Sequence, residues 1–198
     1  MTIISKPMGA YATNCYIVTI NDKSLIIDPG MGASDWVIKN AKNPVAILNT
    51  HGHFDHVWSN GELKKALNIP VYIPKDDAFM LLNDPFSQGT PKCEASVLAE
   101  DGMEYDEQGL KFKFIHFAGH TPGTSVILID NVIFSGDFVF KGSIGRVDFP
   151  YSNPQEMKKS IEKFIKNFHQ NMTIYSGHGE KTTVDEAKEM LKGWLNYL

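Results

Sequence analysis

The sequence predicts an α/β fold of four layers: two mixed β-sheets packed face to face with helices outside, an αββα sandwich. Three observations predict it. Short apolar strand patterns alternate with helical ones in the first half of the chain, strand patterns crowd together in the middle, and two amphipathic helical patterns flank a short strand near the end. Every apolar sheet face or helix stripe must be covered by another element, and helices on the outer faces of two sheets satisfy this order. With 198 residues, 42% of them hydrophobic, the chain can bury roughly 70% of the surface its unfolded form exposes. A single domain over 1–198 is expected, since no linker, short-period repeat or low-complexity tract divides it.

Val18, Ile20 and then Leu25 to Ile27 read as two short strands around the turn Asn21-Asp22-Lys23, and the second ends at Asp28-Pro29-Gly30, a strong breaker. Ser34 caps a helix to about Ala41, Val45 to Leu48 is a short apolar strand, Ser59 or Asn60 opens a helix through Leu67, and Val71 to Ile73 is a strand. Segment 83–94, rich in Asn, Asp, Pro, Ser, Gly and Thr, reads as a surface loop, and strands follow at about 95–99, 110–117, 125–130 and 132–135. Pro154 in a first turn, Glu156 near the positive dipole end, and apolar Met157, Ile161, Phe164, Ile165 and Phe168 on one face mark a helix from Asn153 onward. A strand at 172–175 and an amphipathic helix from about Val184 to Leu195 complete the chain.

Composition narrows the function. Lys+Arg 19 against Asp+Glu 23 gives a formal charge of -4, and no basic run supplies the footprint that phosphate backbones require, so no nucleic-acid partner is expected. No apolar stretch approaches the roughly 18 residues of a membrane span, and the start MTIISKPMGA lacks a basic n-region and a long apolar h-region. A cytoplasmic protein without a membrane partner is expected. Cys15 and Cys93 are far apart and in no C-x-x-C spacing, which argues for two reduced side chains rather than a disulfide framework or a Cys-rich zinc site.

Five of the seven histidines fall in three Gly-punctuated segments that follow strand patterns: His51-Gly52-His53-Phe54-Asp55-His56, Gly119-His120-Thr121-Pro122-Gly123 and Gly177-His178-Gly179. Random placement would yield the first hexapeptide in roughly 5 of 10,000 such chains, so chance is a poor account. His51 and His53 would lie about 200° apart on a helix but on one side of an extended segment, which assigns the motif to a strand end or loop. Gly52 permits a sharp bend there, and a following turn could send His56 elsewhere, so one segment could serve one centre or two. Neutral imidazoles and carboxylates suit zinc, iron or manganese, and the lack of Cys favours an open catalytic site over a closed structural one. Asp137, in Ser135-Gly136-Asp137 just beyond the strand Val132 to Phe134, adds a carboxylate at another strand end.

These residues resemble the metallo-β-lactamase-fold hydrolases, and within them the short glyoxalase II-like (hydroxyacylglutathione hydrolase-like) branch. H-x-H-x-D-H at 51–56, G-H-T-P-G at 119–123, G-D at 136–137, Ser143-Ile144-Gly145-Arg146 and Gly177-His178-Gly179 occur in the family's order and spacing over nearly the whole chain. By that resemblance His51, His53 and His120 would hold one metal, Asp55, His56 and His178 a second, and Asp137 would bridge both, with Asp55 and Asp137 as the catalytic carboxylates. The cofactors implied are two divalent ions, zinc first and iron or manganese as alternatives. The true lactamases generally place a Cys where this chain has Asp137, and full-length glyoxalase II carries an added helical C-terminal domain that is not expected here.

The activity implied is hydrolysis of small S-acyl thioesters, of the S-lactoylglutathione kind, by a metal-bridging hydroxide. Two cations lower the pKa of water from 15.7 toward about 7, so no Ser or Cys nucleophile is required. A thiol of pKa near 8.5 can leave without a dedicated acid. Two alternatives share the fold, an iron-dependent persulfide dioxygenase and a lactonase. A non-catalytic metal-binding module is the alternative outside catalysis.

Other residues carry two readings each. Arg146, the only arginine of the chain, either binds a substrate carboxylate with its guanidinium fork or forms a loop salt bridge with Asp148. Asp28 either orients a metal-bound imidazole or caps its own turn. His116 and His169 read as a partly buried strand histidine and a helix-end surface histidine. Phe138, Phe149 and Tyr151 either line the pocket or belong to the core.

Overall fold

Adjacent residues of the apolar strands point to opposite faces, and the computed structural model, which describes residues 1–198, sends them into different cores. Val18, Leu25 and Ile27 join one cluster, whereas Ile17 and Ile26 join another. The first half of the chain contributes β1 (Thr2–Met8), β2 (Thr13–Ile20), β3 (Lys23–Ile27), α1 (Ser34–Asn40), β4 (Pro44–Leu48), α2 (Phe54–Val57), α3 (Asn60–Leu67), β5 (Val71–Pro74), α4 (Met80–Asn83) and β6 (Val97–Ala99). The second half contributes β7 (Glu104–Glu107), β8 (Leu110–His116), β9 (Ser125–Ile129), β10 (Val132–Gly136), β11 (Val139–Phe140), β12 (Ser143–Ile144), α5 (Pro154–Asn167), β13 (Thr173–Ser176), β14 (Thr182–Thr183) and α6 (Val184–Trp194).

The strands form two six-stranded sheets, ordered β1-β2-β3-β4-β5-β6 and β14-β13-β10-β9-β8-β7, with β11-β12 as a small separate ribbon. Both sheets are mixed: β3, β4, β5 and β6 run parallel in the first, and β10 and β13 in the second. Between them lies a core drawn from both, including Tyr16, Leu25, Leu48 and Tyr72 from one and Phe112, Phe114, Ile127 and Phe134 from the other. On the outer face of the first sheet Ile26, Ile47 and Ile73 meet Val37 of α1 and Leu63 of α3; on the second, Val126, Ile133 and Ile174 meet Met157, Ile161 and Phe164 of α5 and Leu191 of α6. This is the expected αββα sandwich. No helix is long and apolar enough to cross a membrane.

Several details depart from the sequence reading. The second strand begins at Thr13 rather than near Val18, and β1 and β7 form edges that the sequence did not signal. The histidine-rich hexapeptide is extended only through His53, and a four-residue helical turn then carries Asp55 and His56. Gly52 does not act through a left-handed bend. A Cβ there would lie 2.9 Å from the backbone oxygen of Asp77 and 2.9 Å from Cβ of Met80, so close packing requires the glycine.

Candidate metal centre

The parallel strands deliver the chemistry to one end of the sandwich. Asp28 follows β3, the hexapeptide follows β4, and Asp137 and His178 follow the neighbouring parallel strands β10 and β13. His120 arrives from the loop between β8 and β9. Convergence at the carboxyl ends of strands is the general placement of sites in such sheets.

All seven side chains singled out from the sequence meet there. Ligand atoms of His51, His53 and His120 lie within 4.8 Å of one another, as do those of Asp55, His56 and His178. Asp137 faces both groups: its Oδ1 is 3.3 Å from His56 Nε2, and its Oδ2 is 3.4 Å from His120 Nε2 and 3.4 Å from His178 Nε2. Asp55 Oδ2 is 3.5 Å from Nε2 of both His56 and His178. A cation with bonds of about 2.1 Å in tetrahedral geometry holds its ligands about 3.4 Å apart, so these separations are those of atoms arranged around a common ion.

The hydrogen bonds fit the same account. Nε2 of His51, His53, His56 and His120 and Oδ1 of Asp137 are buried without a hydrogen-bond partner in the protein. Leaving so many buried polar atoms unpaired costs several kcal/mol unless something else satisfies them. The opposite ring nitrogens are engaged: His56 Nδ1 donates to Asp28 Oδ2 at 3.0 Å, His120 Nδ1 to the Arg146 carbonyl at 2.8 Å, and His178 Nδ1 to the Tyr11 carbonyl at 3.0 Å. Because these partners are acceptors only, they place the proton on Nδ1 and aim the Nε2 lone pair into the site. His51 Nδ1 lies 3.1 Å from Thr50 Oγ1, which itself donates to Asp28 at 2.6 Å, so Asp28 orients two imidazoles, one directly and one through Thr50. Of its two readings, the orienting one describes its side chain.

Electrostatics prepare the donors for a cation. Burial holds His51, His53 and His120 below their usual pKa, which keeps them neutral and able to ligate at pH 7. Burial also opposes charge on His56, but Asp55, Asp137 and Asp28 outweigh it and raise its pKa, so the surrounding carboxylates hold a proton there that a bound cation would displace. Burial would raise Asp137, yet the imidazoles of His56, His178 and His120 hold its carboxyl well below the usual range. The donor set therefore fits two divalent cations, and the half-buried His178 side chain leaves solvent access.

Two supports escaped the sequence reading. At the start of β2, Thr13 Oγ1 donates to Asp55 Oδ2 at 2.6 Å, while Asn14 Nδ2 donates to the carbonyls of Ser176 at 3.1 Å and Gly179 at 2.9 Å, fixing the segment that carries His178. Asp77, after β5, is buried and accepts from Gly52 N at 2.8 Å, Gly123 N at 2.6 Å and Thr121 Oγ1 at 2.6 Å. It thereby joins the loop of His51 and His53 to the loop of His120. Its position after a parallel strand, like that of Asp28 and His51, is the signal that could have found it.

Burial raises Asp77 to about 6 against the pull of its donors. A raised acid pKa means that the folded chain holds this proton more tightly, so the stabilisation is full below the unfolded value near 3.8 and is lost as pH rises through about 6. Asp77→Asn presents an amide to one of three donors and leaves a buried N–H or hydroxyl unmatched. The cost is about 1–3 kcal/mol, a fall in Tm of roughly 2–12 °C at neutral pH. Metal affinity should weaken about 10- to 100-fold, as for other groups that orient ligands. Thermal melts and metal titration read both; an unchanged pair would remove Asp77 from this role.

Arg146 forms a bidentate pair with Asp148, Nε and Nη2 each at 2.8 Å, and its guanidinium lies 4.0 Å from the Phe149 ring. This is the geometry of the salt-bridge reading, although Arg146 also lines the pocket. Phe149 lines that pocket too, Phe138 is fully buried in the core, and Tyr151 is exposed against Phe79. His116 Nε2 donates to the Pro122 carbonyl at 2.7 Å, His169 is exposed, and both cysteines are free and buried.

A family model described as metallo-beta-lactamase superfamily matches residues 8–178. Hydroxyacylglutathione hydrolase GloC of Haemophilus influenzae is 30% identical over 204 residues, covering 95% of each chain. Among solved structures, the BLEG-1 B3 metallo-beta-lactamase superposes with a TM-score of 0.85 at 28% identity, covering 96% of both chains. TTHA1623, solved in a di-iron-bound form, superposes with a TM-score of 0.81 at 28% identity, over 92% of this chain and 96% of that one.

Proposed function

The chain belongs to the metallo-beta-lactamase superfamily, and from that premise we propose that it is a dinuclear metal-dependent hydrolase of glyoxalase II type, cleaving S-acyl thioesters of the S-lactoylglutathione kind. The observation that carries the reading is the convergence of seven His and Asp side chains, five of which turn a buried atom with no protein partner into the site. His51, His53 and His120 would hold one cation and Asp55, His56 and His178 the other, with Asp137 between them. Zinc is the first choice, and a di-iron-bound relative keeps iron open. When bound, the cations supply a water of lowered pKa and polarise the carbonyl.

The chain's own residues supply orientation. Asp28, Thr13 and the carbonyls of Tyr11 and Arg146 fix the ligand atoms before substrate arrives. No Ser, Thr, Cys or Lys lines the pocket, so the protein offers no covalent nucleophile of those types. A departing thiol needs no proton donor of its own, which suits thioesters better than amides. The 30% identity to a hydroxyacylglutathione hydrolase supports the same bond class. The reading places the protein in the cytoplasm with small-molecule substrates and neither nucleic-acid nor membrane partners. The aromatic lining of the pocket also suits a lactonase, in which the leaving alkoxide stays attached to the product.

The test combines metal analysis of the purified protein with a panel of S-lactoylglutathione, simple thioesters, lactones and glutathione persulfide. Two divalent cations per chain are expected, with thiol release that a chelator abolishes and added metal restores. Turnover of a lactone, or oxygen consumption with persulfide, in a fully loaded protein that releases no thiol from thioesters would overturn the proposal.

A further inference from the structure

The cavity over the cluster measures about 630 Å³, and carbon dominates its walls. On the His53 side, Phe86 stands edge-on at 4.8 Å and Phe149 at 6.0 Å from that imidazole. On the His178 side, Phe140 lies 5.9 Å from the ring, and Tyr11 packs at 5.1 Å against Phe54. These phenylalanines are only half-buried and Tyr11 is exposed, so their faces are available to whatever enters.

Polar groups beyond the metal-facing set are few. Gln88 and the Tyr11 hydroxyl are the neutral ones and Arg146 is the only cation of the lining, already held by both oxygens of Asp148. A glutathione conjugate brings two carboxylates and an ammonium into this space. Its carboxylates would be desolvated against rings, or would compete with Asp148 for one guanidinium. An alkyl or aryl group gains instead from each ring it covers.

Resting on the thioesterase reading but replacing S-lactoylglutathione with another member of the same bond class, we infer that this pocket selects thioesters whose acyl group is an apolar chain or ring, in preference to glutathione conjugates. The wall rings meet the acyl group while the cluster meets the carbonyl. Each methylene buried against them raises kcat/KM about fourfold until the wall is covered.

Acetyl, butyryl, hexanoyl and phenylacetyl thioesters of N-acetylcysteamine, a small neutral thiol, are compared with S-lactoylglutathione on the metal-loaded protein. The expected result is a rise of tenfold or more in kcat/KM from acetyl to hexanoyl, with hexanoyl and phenylacetyl above S-lactoylglutathione. Phe86→Ala and Phe149→Ala should shrink the hexanoyl-to-acetyl ratio. A flat series, or S-lactoylglutathione preferred tenfold, overturns the inference.

Calorimetric binding of acetohydroxamate, hexanohydroxamate and phenylacetohydroxamate separates this inference from the reading beneath it, because the chelating head is constant and only the tail varies. Affinity rising tenfold or more with the tail supports an apolar wall even if no thioester is cleaved, and then only the thioesterase reading fails. Thioester cleavage without any tail dependence sinks the inference and leaves that reading standing.

Discussion

Asp137→Ala is expected to lose tightly bound metal and to lower thioester turnover by about a thousandfold or more. Asp137 is the one side chain that faces both donor groups, with Oδ1 at 3.3 Å from His56 Nε2 and Oδ2 at 3.4 Å from His120 and from His178. His51 and His56 also approach each other beside Asp28, but neither carries the negative charge that Asp137 sets between the two groups. On the dinuclear proposal, alanine would remove the anion that offsets the charge of two neighbouring cations and leave buried imidazoles to absorb their repulsion. Asp137→Asn keeps the volume but turns an N–H toward imidazole lone pairs, so it should resemble alanine rather than the parent. Metal content after dialysis and thiol release are the measurements, with circular dichroism to confirm that the sandwich persists. Two retained cations at full rate would show that Asp137 does not bridge.

Much of this site was legible because its residue types are uncommon neighbours. Imidazoles and carboxylates clustered after strand patterns have few structural uses, and the two sheets followed from short apolar runs such as Leu25 to Ile27. What escaped notice has physical reasons. Thr2–Met8 contains Lys6 and Pro7, and Glu104–Glu107 is mostly acidic; both are edge strands, where one side of the ladder is unpaired and such residues are tolerated. Phe54–Val57 is a single turn, too short for any period to declare itself. Thr13 reaches Asp55 across 42 positions and Asn14 reaches Ser176 across 162, and no local pattern announces a partner so distant. Asp77 stands in Lys75-Asp76-Asp77, which reads as a solvated turn until β5 carries it inward. The guanidinium makes Arg146 conspicuous in the sequence, yet the chain also uses its backbone carbonyl, which accepts from His120.

Gly177→Ala should damage the site nearly as much as loss of Asp137, through a single methyl. A Cβ at 177 would collide with Oδ1 of Asp137 and stand 2.7 Å from Cε1 of His56. The backbone cannot retreat, because the Gly177 carbonyl accepts from Asn14 N at 2.7 Å and its N–H donates to the Gly136 carbonyl at 2.8 Å. The glycine is therefore required by proximity and not by its own torsion, which lies outside the left-handed region. Its neighbour in the same motif is the opposite case: Gly179 has φ +73 with nothing within 4 Å of an added Cβ. Gly179→Ala should cost about 1–2 kcal/mol of backbone strain and keep its cations. Gly177→Ala should cost about 1–3 kcal/mol of overpacking and in addition displace the Asp137 carboxylate, so that metal content falls and turnover drops about a hundredfold or more. Comparing the two variants by thermal melt and metal analysis separates strain from displacement. If both melt lower but retain two cations, the carboxylate has room to turn, and the close approach of Gly177 belongs to packing alone.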